Sequence, residues 1–250
     1  VANSLNRSLG ASSPTAFDSG ATSLAQHTLN ADLRRNFGPH TLSGGYEYRV
    51  ENYRIRQGEP ASWQLGADSA WYPGAQGFGG FTPANAVHAD RHNYAVYAGL
   101  EADLTDKFSA GLTGRYEDYS DFGSKTSGKL SLRYAFTDKV ALRATASNGF
   151  RAPSLAQQSF QAISSIINSG VFYQSGTFPA DSAAARALGS KPLKAETSTS
   201  YGLGLVLQPT DQFSLTVDAY QIKIDDRILL SSNVSTNAAA NALLSSLGID

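Results

Sequence analysis

Along most of this chain apolar and polar residues alternate one for one, and the alternation restarts again and again. A period of two is the signature of a β-strand with two unlike faces, since a helix would repeat every three or four residues. Leu42, Gly44, Tyr46, Tyr48 and Val50 alternate with Ser43, Gly45, Glu47, Arg49 and Glu51. Tyr94, Val96, Ala98, Leu100, Ala102 and Leu104 alternate with Ala95, Tyr97, Gly99, Glu101 and Asp103. The pattern returns from Phe108, Leu130, Val140, Tyr201 and Phe213. It predicts about eight strands, near residues 24–37, 40–56, 91–105, 107–119, 125–136, 139–149, 195–208 and 212–227. Arg34-Arg35 interrupts the first. In the last, the apolar residues move from odd to even positions at Ile222 and Ile224, which predicts a β-bulge near Tyr220.

The connections sort by length. Tight turns are expected at Gly38-Pro39, Thr105-Asp106-Lys107, Thr137-Asp138-Lys139 and Pro209-Thr210-Asp211. Long connections span 57–90 and 150–194, with a short one at Asp121-Phe122-Gly123. Following the chain up and down puts every tight turn at one end of the sheet and every long loop at the other. Strands this long exceed the roughly 5–6 residues usual in soluble sheets. Tyr and Phe near strand ends, with Gly, Ser, Thr and scattered charges opposite, suit an aromatic girdle around a wet interior. These features predict an all-β, antiparallel transmembrane β-barrel. Alternation alone does not say which face is inward, so a soluble sandwich or small soluble barrel is the alternative. In the barrel, Leu130, Leu132, Tyr134, Leu142 and Leu203 face lipid, and Lys129, Arg133, Arg143, Arg115 and Glu117 face the lumen.

Composition removes other classes. The longest apolar run, Tyr94–Leu100, is far short of the roughly 18–20 residues of a membrane-spanning helix. No Lys- or Arg-led apolar leader stands at Val1. With no Cys there is no disulfide scaffold, thiolate zinc site or cysteine nucleophile. A net charge of −1 gives no electrostatic case for nucleic acid, and Arg7, Arg34 and Arg35 are too sparse for a binding patch.

Chemistry-bearing constellations are few. His88 and His92, with Asp90 between, have a metal-like i,i+4 spacing that needs a helix, and here it lies where a loop enters a strand. Glu117, Asp118 and Asp121 read as a solvated acidic turn before they read as a Ca²⁺ site. No phosphate-binding glycine loop or nucleophile elbow appears in a strand-to-helix context. Asn6-Arg7-Ser8 and Asn233-Val234-Ser235 match a glycosylation sequon. The expectation is no enzyme, no metal site and no cofactor. Aromatic residues crowd the long loops: Trp63, Trp71, Tyr72, Phe78 and Phe81 in one, Phe160, Phe172, Tyr173 and Phe178 in the other, where Gln157, Gln158 and Gln161 also lie. They either stack on a bulky ligand or pack on one another. Ala180–Gly189 has the composition of a short loop helix.

Four segments, in order, carry a resemblance. They are Arg115–Gly123 (RYEDYSDFG), Leu142–Leu155 (LRATASNGFRAPSL), Leu193–Ser198 (LKAETS) and Leu215–Ile228 (LTVDAYQIKIDDRI). Together they resemble the TonB-dependent outer-membrane receptors, whose barrels carry a strand ending Gly-Phe-Arg-Ala-Pro before a long external loop. Ala195 stands where that family usually has proline. Members have a plug domain and a 22-strand barrel, and close on an aromatic-ended strand. The resemblance therefore implies that residues 1–250 are a partial barrel domain of about eight strands, both ends lying in loops. Its first and eighth strands would then lie beside strands from elsewhere, or be disordered.

The resemblance implies a receptor in the outer membrane of a Gram-negative bacterium. It would take up a scarce bulky nutrient, most often a ferric siderophore. Partners would be outer-membrane lipid, a small-molecule ligand such as a metal chelate, and the periplasmic energy-coupling protein TonB acting through the plug. Trp63, Trp71, Tyr72 and Phe78 are the expected ligand contacts, with Arg151 as partner for an anionic ligand. The alternatives are a passive or structural eight-strand barrel and a membrane hydrolase, for which no triad is found.

Overall fold

The computed structural model describes residues 14–64, 79–168, 171–234 and 238–246. Eight long strands form one antiparallel sheet: β1 (Ala21–Phe37), β2 (His40–Arg56), β3 (Val87–Thr105), β4 (Phe108–Tyr119), β5 (Gly123–Thr137), β6 (Val140–Arg151), β9 (Glu196–Thr210) and β10 (Phe213–Asp225). A separate hairpin, β7 (Ala162–Asn168) and β8 (Val171–Thr177), is inserted between β6 and β9. The sheet order follows the chain, with β6 pairing directly with β9. β1 and β10 are its two edges and are not paired with each other. The eight strands stand where the alternation puts them. The 57–90 connection ends earlier than expected, at Val87, and the 150–194 connection, expected as loop, contains the hairpin.

The repeated Thr-Asp-Lys turns have a local cause. Thr105 Oγ1 accepts from the amides of Lys107 (3.3 Å) and Phe108 (3.0 Å), and Thr137 Oγ1 accepts from Lys139 N (3.2 Å). Each hydroxyl replaces a backbone acceptor and closes the chain within two residues.

Directly opposed residues in an antiparallel ladder share a face. The register therefore strings Leu42, Leu100, Leu112, Leu130, Ala146 and Tyr201 across six strands on one face. Ser43, Gly99, Thr113, Lys129, Ser147 and Ser200 run behind them on the other. The expected sorting holds: the Leu130, Leu132, Tyr134, Leu142 and Leu203 set is on the first face, and the Lys129, Arg133, Arg143, Arg115 and Glu117 set on the second. The apolar face is open, with Leu33 75%, Leu112 63% and Leu203 53% exposed. Soluble monomers rarely expose so continuous an apolar surface. From Tyr94 to Leu104 on β3 the strand advances about 33 Å, or roughly 25 Å along the normal of a barrel tilted about 40°. That is the height of an apolar band of a membrane barrel, with Tyr46, Tyr48, Tyr94, Tyr116 and Tyr201 at its loop end and Phe108, Tyr134 and Phe136 at its turn end.

Glycine opens the polar face to side chains that reach across a strand. Gly204 lies between Arg143 and Asp218 in register, and a Cβ there would collide with both side chains. Without it, Arg143 reaches over β9 to Asp218, with Nη2 2.6 Å from Oδ2. Gly45 does the same for Asp32 and the Tyr97 hydroxyl, which donates to it.

The expected bulge at Tyr220 is absent. β10 stays in unbroken register with β9 from Leu215 to Asp225, and the irregularity falls between Phe213 and Leu215. Instead, Tyr220, Ile222 and Ile224 lie on the polar face while Gln221, Lys223 and Asp225 lie on the other. The same inversion occurs on β2, where Tyr53 and Ile55 face inward and Arg54 and Arg56 outward. It occurs again on β3, with Val87 and Ala89 inward and His88 and Asp90 outward. Beyond the apolar band the outward face no longer has to be apolar, and on β2 and β3 the inward face has loops to pack against. Tyr53 and Ile55 are thereby buried under Phe81, Leu155 and Ala162, flanked by Val87, Ala89, Ala156 and Phe160.

Candidate functional site

The loop end of the sheet gathers most of the buried side chains. Helix α1 (Pro60–Trp63) begins with Pro at its first position, where no amide donor is lost. Helix α2 (Leu155–Ser159) starts in a capping box, with Ser154 Oγ accepting from Gln157 N and Gln157 Oε1 from Ser154 N. Helix α3 (Ala183–Ala187), capped by Ser182, realises the short helix expected in 180–189.

Arg91, on the inward phase of β3, is the centre of this region, with its side chain only 5% exposed. Its Nε and Nη2 donate to Glu51 Oε2 (2.8 and 2.5 Å). Its Nη1 donates to the carbonyl of Pro153 (2.8 Å) and, more weakly, to Asp121 Oδ2 (3.4 Å). The guanidinium lies over the Tyr119 ring at 5.4 Å. Tyr119 stacks on Phe122 (4.4 Å) and meets Phe150 edge-on (6.0 Å). Gln158 Nε2 donates to Asp121 Oδ2 (2.8 Å) and to the same Pro153 carbonyl (3.2 Å).

Nearby, Arg151 and Glu196 form a two-point pair, and Glu196 Oε1 also accepts from Ile228 N (2.8 Å). Glu196 stands beyond the apolar band, and Arg151 with that amide lowers its carboxyl from 4.5 to about 2. In the loop before β1, Arg56 and the Gly20 amide hold the Asp18 carboxyl below its usual range. Deeper on the polar face Glu47 is shared by Arg49 (2.5 Å) and Arg115 (3.2 Å), and Arg115 also binds Glu117 (3.1 Å).

Trp63 is partly buried, with its ring nitrogen donating to the Gly58 carbonyl (2.9 Å). Trp71, Tyr72 and Phe78 lie outside the described residues. Arg151 is engaged by Glu196 and is not grouped with Trp63. His88, Asp90 and His92 alternate along the outward face of β3, where strand spacing keeps them apart. Glu117 faces the interior, Asp118 the other face, and Asp121 binds Arg91 and Gln158. Among the described residues no three carboxylate, histidine or cysteine side chains are placed to hold a metal. The hub, Arg91 with Glu51, was missed from sequence. Its only signal was the inward phase of Arg91 in the strand alternation.

Geometry at this stage defines a class: one wall of a membrane-type antiparallel barrel, its loops folded back over the polar face. A family profile described as TonB dependent receptor-like, beta-barrel, matches residues 2–248. The chain belongs to the TonB-dependent receptor family and forms part of its barrel domain. No curated protein matches the sequence. Its fold is similar to the ferric enterobactin receptor of Pseudomonas aeruginosa, at 18% identity and a TM-score of 0.56 over 81% of this chain and 27% of that one. It is also similar to the siderophore receptors PirA of P. aeruginosa (18%, 0.59, over 82% and 33%) and of Acinetobacter baumannii (19%, 0.56, over 87% and 30%). The chain spans about a third or less of the length of these structures.

Proposed function

We propose that the chain supplies eight strands of the wall of an outer-membrane active-transport receptor in a Gram-negative bacterium. Its ligand is a scarce bulky nutrient of the ferric siderophore type. The observation that carries this reading is the open apolar face, about 25 Å tall between two aromatic rows, backed by a polar face that loops cover at one end only. Further strands complete the sheet beyond β1 and β10, because an open edge does not persist in lipid. A plug coupled to TonB supplies the energy, and the wall and its loops do no covalent chemistry. Trp63, Trp71, Tyr72 and Phe78 contact the ligand, with Arg151 as the partner of an anionic one. The passive eight-strand barrel is disfavoured by the unpaired β1 and β10 edges.

Uptake of radioiron by cells with and without the gene tests the reading, using a ferric tris-catecholate and a ferric tris-hydroxamate. Loss of one chelate in the deletion strain, restored by the gene and abolished by collapsing the proton gradient, is expected. Uptake of both chelates that is indifferent to the deletion overturns it.

A further inference from the structure

The two long connections are far apart in sequence yet share one seat. Phe81 of the first meets Phe160 of the second edge-on at 6.3 Å, over the cluster of Tyr53, Ile55, Leu155 and Ala162. The Gln161 side chain donates to the Ala84 carbonyl, a second bridge between them. Under the second connection lies Arg91, which joins β2 through Glu51, the β4–β5 turn through Asp121, and the start of the second connection through Pro153. Gln158 returns from α2 to the same two acceptors, Asp121 and Pro153. Pro153 is itself fully buried, so its carbonyl has no water to fall back on.

We propose that Arg91 is a positioning residue that makes segments 79–86 and 153–162 of the two long connections a single cooperative unit, seated on the wall in one arrangement ready for ligand. This deepens the receptor reading and rests on it for its purpose, while the coupling itself is read without any ligand. Lysine cannot replace arginine here. One ammonium has no planar fork with which to hold Glu51 through two donors while reaching Pro153 and Asp121. Without the guanidinium, Glu51 and the Pro153 carbonyl lose a buried partner, and the Asp121–Pro153 seat that Gln158 of α2 binds loses its tie to β3. Phe160 and Gln161, next along the chain, then withdraw from Phe81 and Ala84, so that opening on one side opens the other. Segments that open together in this way behave as one unit in hydrogen exchange.

The test is amide hydrogen exchange on the full-length receptor, followed in segments 79–86 and 153–162. Arg91→Lys loosens the seat from the wall, and Phe81→Ser loosens it from the first connection. Each variant is expected to speed exchange about tenfold or more in both segments, leaving the β4–β5 ladder around Leu112 and Leu130 unchanged. Acceleration confined to 79–86 in Phe81→Ser, or protection of 153–162 in Arg91→Lys, overturns the proposal. If Arg91→Lys fails to assemble, Gln158→Leu cuts the same tie from the loop side and is held to the same outcomes. A parallel titration with a ferric tris-catecholate and a ferric tris-hydroxamate separates the two readings. If the wild type binds neither, the receptor reading fails, while the exchange result still decides the coupling.

Discussion

Arg151 and Glu196 are register partners on β6 and β9, and their side chains close a fork with Nε–Oε2 at 2.9 Å and Nη2–Oε1 at 2.8 Å. Each comes from a different recognised segment, Gly-Phe-Arg-Ala-Pro and Leu-Lys-Ala-Glu-Thr-Ser. Glu196 also binds the amide of Ile228, the last residue of a third segment. The fourth segment supplies Tyr119, Asp121 and Phe122, which reach Phe150 and Arg91. The four motifs therefore meet in space. All four lie where strands give way to connections.

That pairing has a pH signature. The Glu196 carboxyl is held near 2 in the fold against 4.5 without its partners, so its contribution is complete above 4.5 and is lost as pH falls through about 2. Exchange at 150–153 and 227–229 is expected to be flat from pH 7 to 5 and to rise only below 4.5, after correction for intrinsic rates. Glu196→Gln should remove that acid step; a step surviving in the variant would assign it to another carboxylate.

Leu112, 63% exposed near the middle of the apolar band, should face hydrocarbon. Leu112→Arg is expected to cost about 2–4 kcal/mol, the value for arginine at a bilayer midplane. Unfolding titrations in lipid vesicles measure it. An equal cost for Thr113→Arg, on the opposite face, would show that the two faces are not distinguished by lipid.

Gly204→Val should uncouple Arg143 from Asp218, because a side chain there occupies the path between them. The unfolding midpoint is expected to fall. In Gly204→Val/Asp218→Ala the two losses should be less than additive, since both remove one interaction. Full additivity in the double-mutant cycle would mean that the glycine serves only strand packing.

The strands were legible because each has two solvents, and alternation records both. The legible signal weakened where that condition ends. At Ile222 and Ile224 the exchange of phase looked like an inserted residue. It was instead an exchange of faces without an inserted residue, which Tyr53–Ile55 and Val87–Ala89 repeat; those pack under loops, whereas Ile222 and Ile224 lie open on the β10 edge. The β7–β8 hairpin was missed although Ile163, Val171 and Phe172 have strand character, because its sides do not alternate cleanly. Arg91 was missed for a different reason. An inward arginine on a strand looks the same in sequence whether it lines a wet interior or ties three segments together.

The loop aromatics give the last prediction. Trp63 has its ring nitrogen committed to the Gly58 carbonyl, which fixes the indole without using its faces. A fixed aromatic face costs little entropy to stack on a ligand, and a buried aromatic contact contributes about 0.5–1.5 kcal/mol beyond its area. Arg151, already held by Glu196, has little left to offer an anion unless that pair opens. The aromatics should then carry more of the binding than the arginine. Replacing Trp63 and Trp71 together with alanine is expected to weaken chelate binding at least about tenfold, or roughly 1.4 kcal/mol, with assembly in the membrane unchanged. Arg151→Gln should weaken it less, while raising exchange around 150–153. Equilibrium titration of the assembled variants measures both. Unchanged affinity in the double variant would return these tryptophans to loop packing, and a larger loss in Arg151→Gln would move recognition to the Arg151–Glu196 fork.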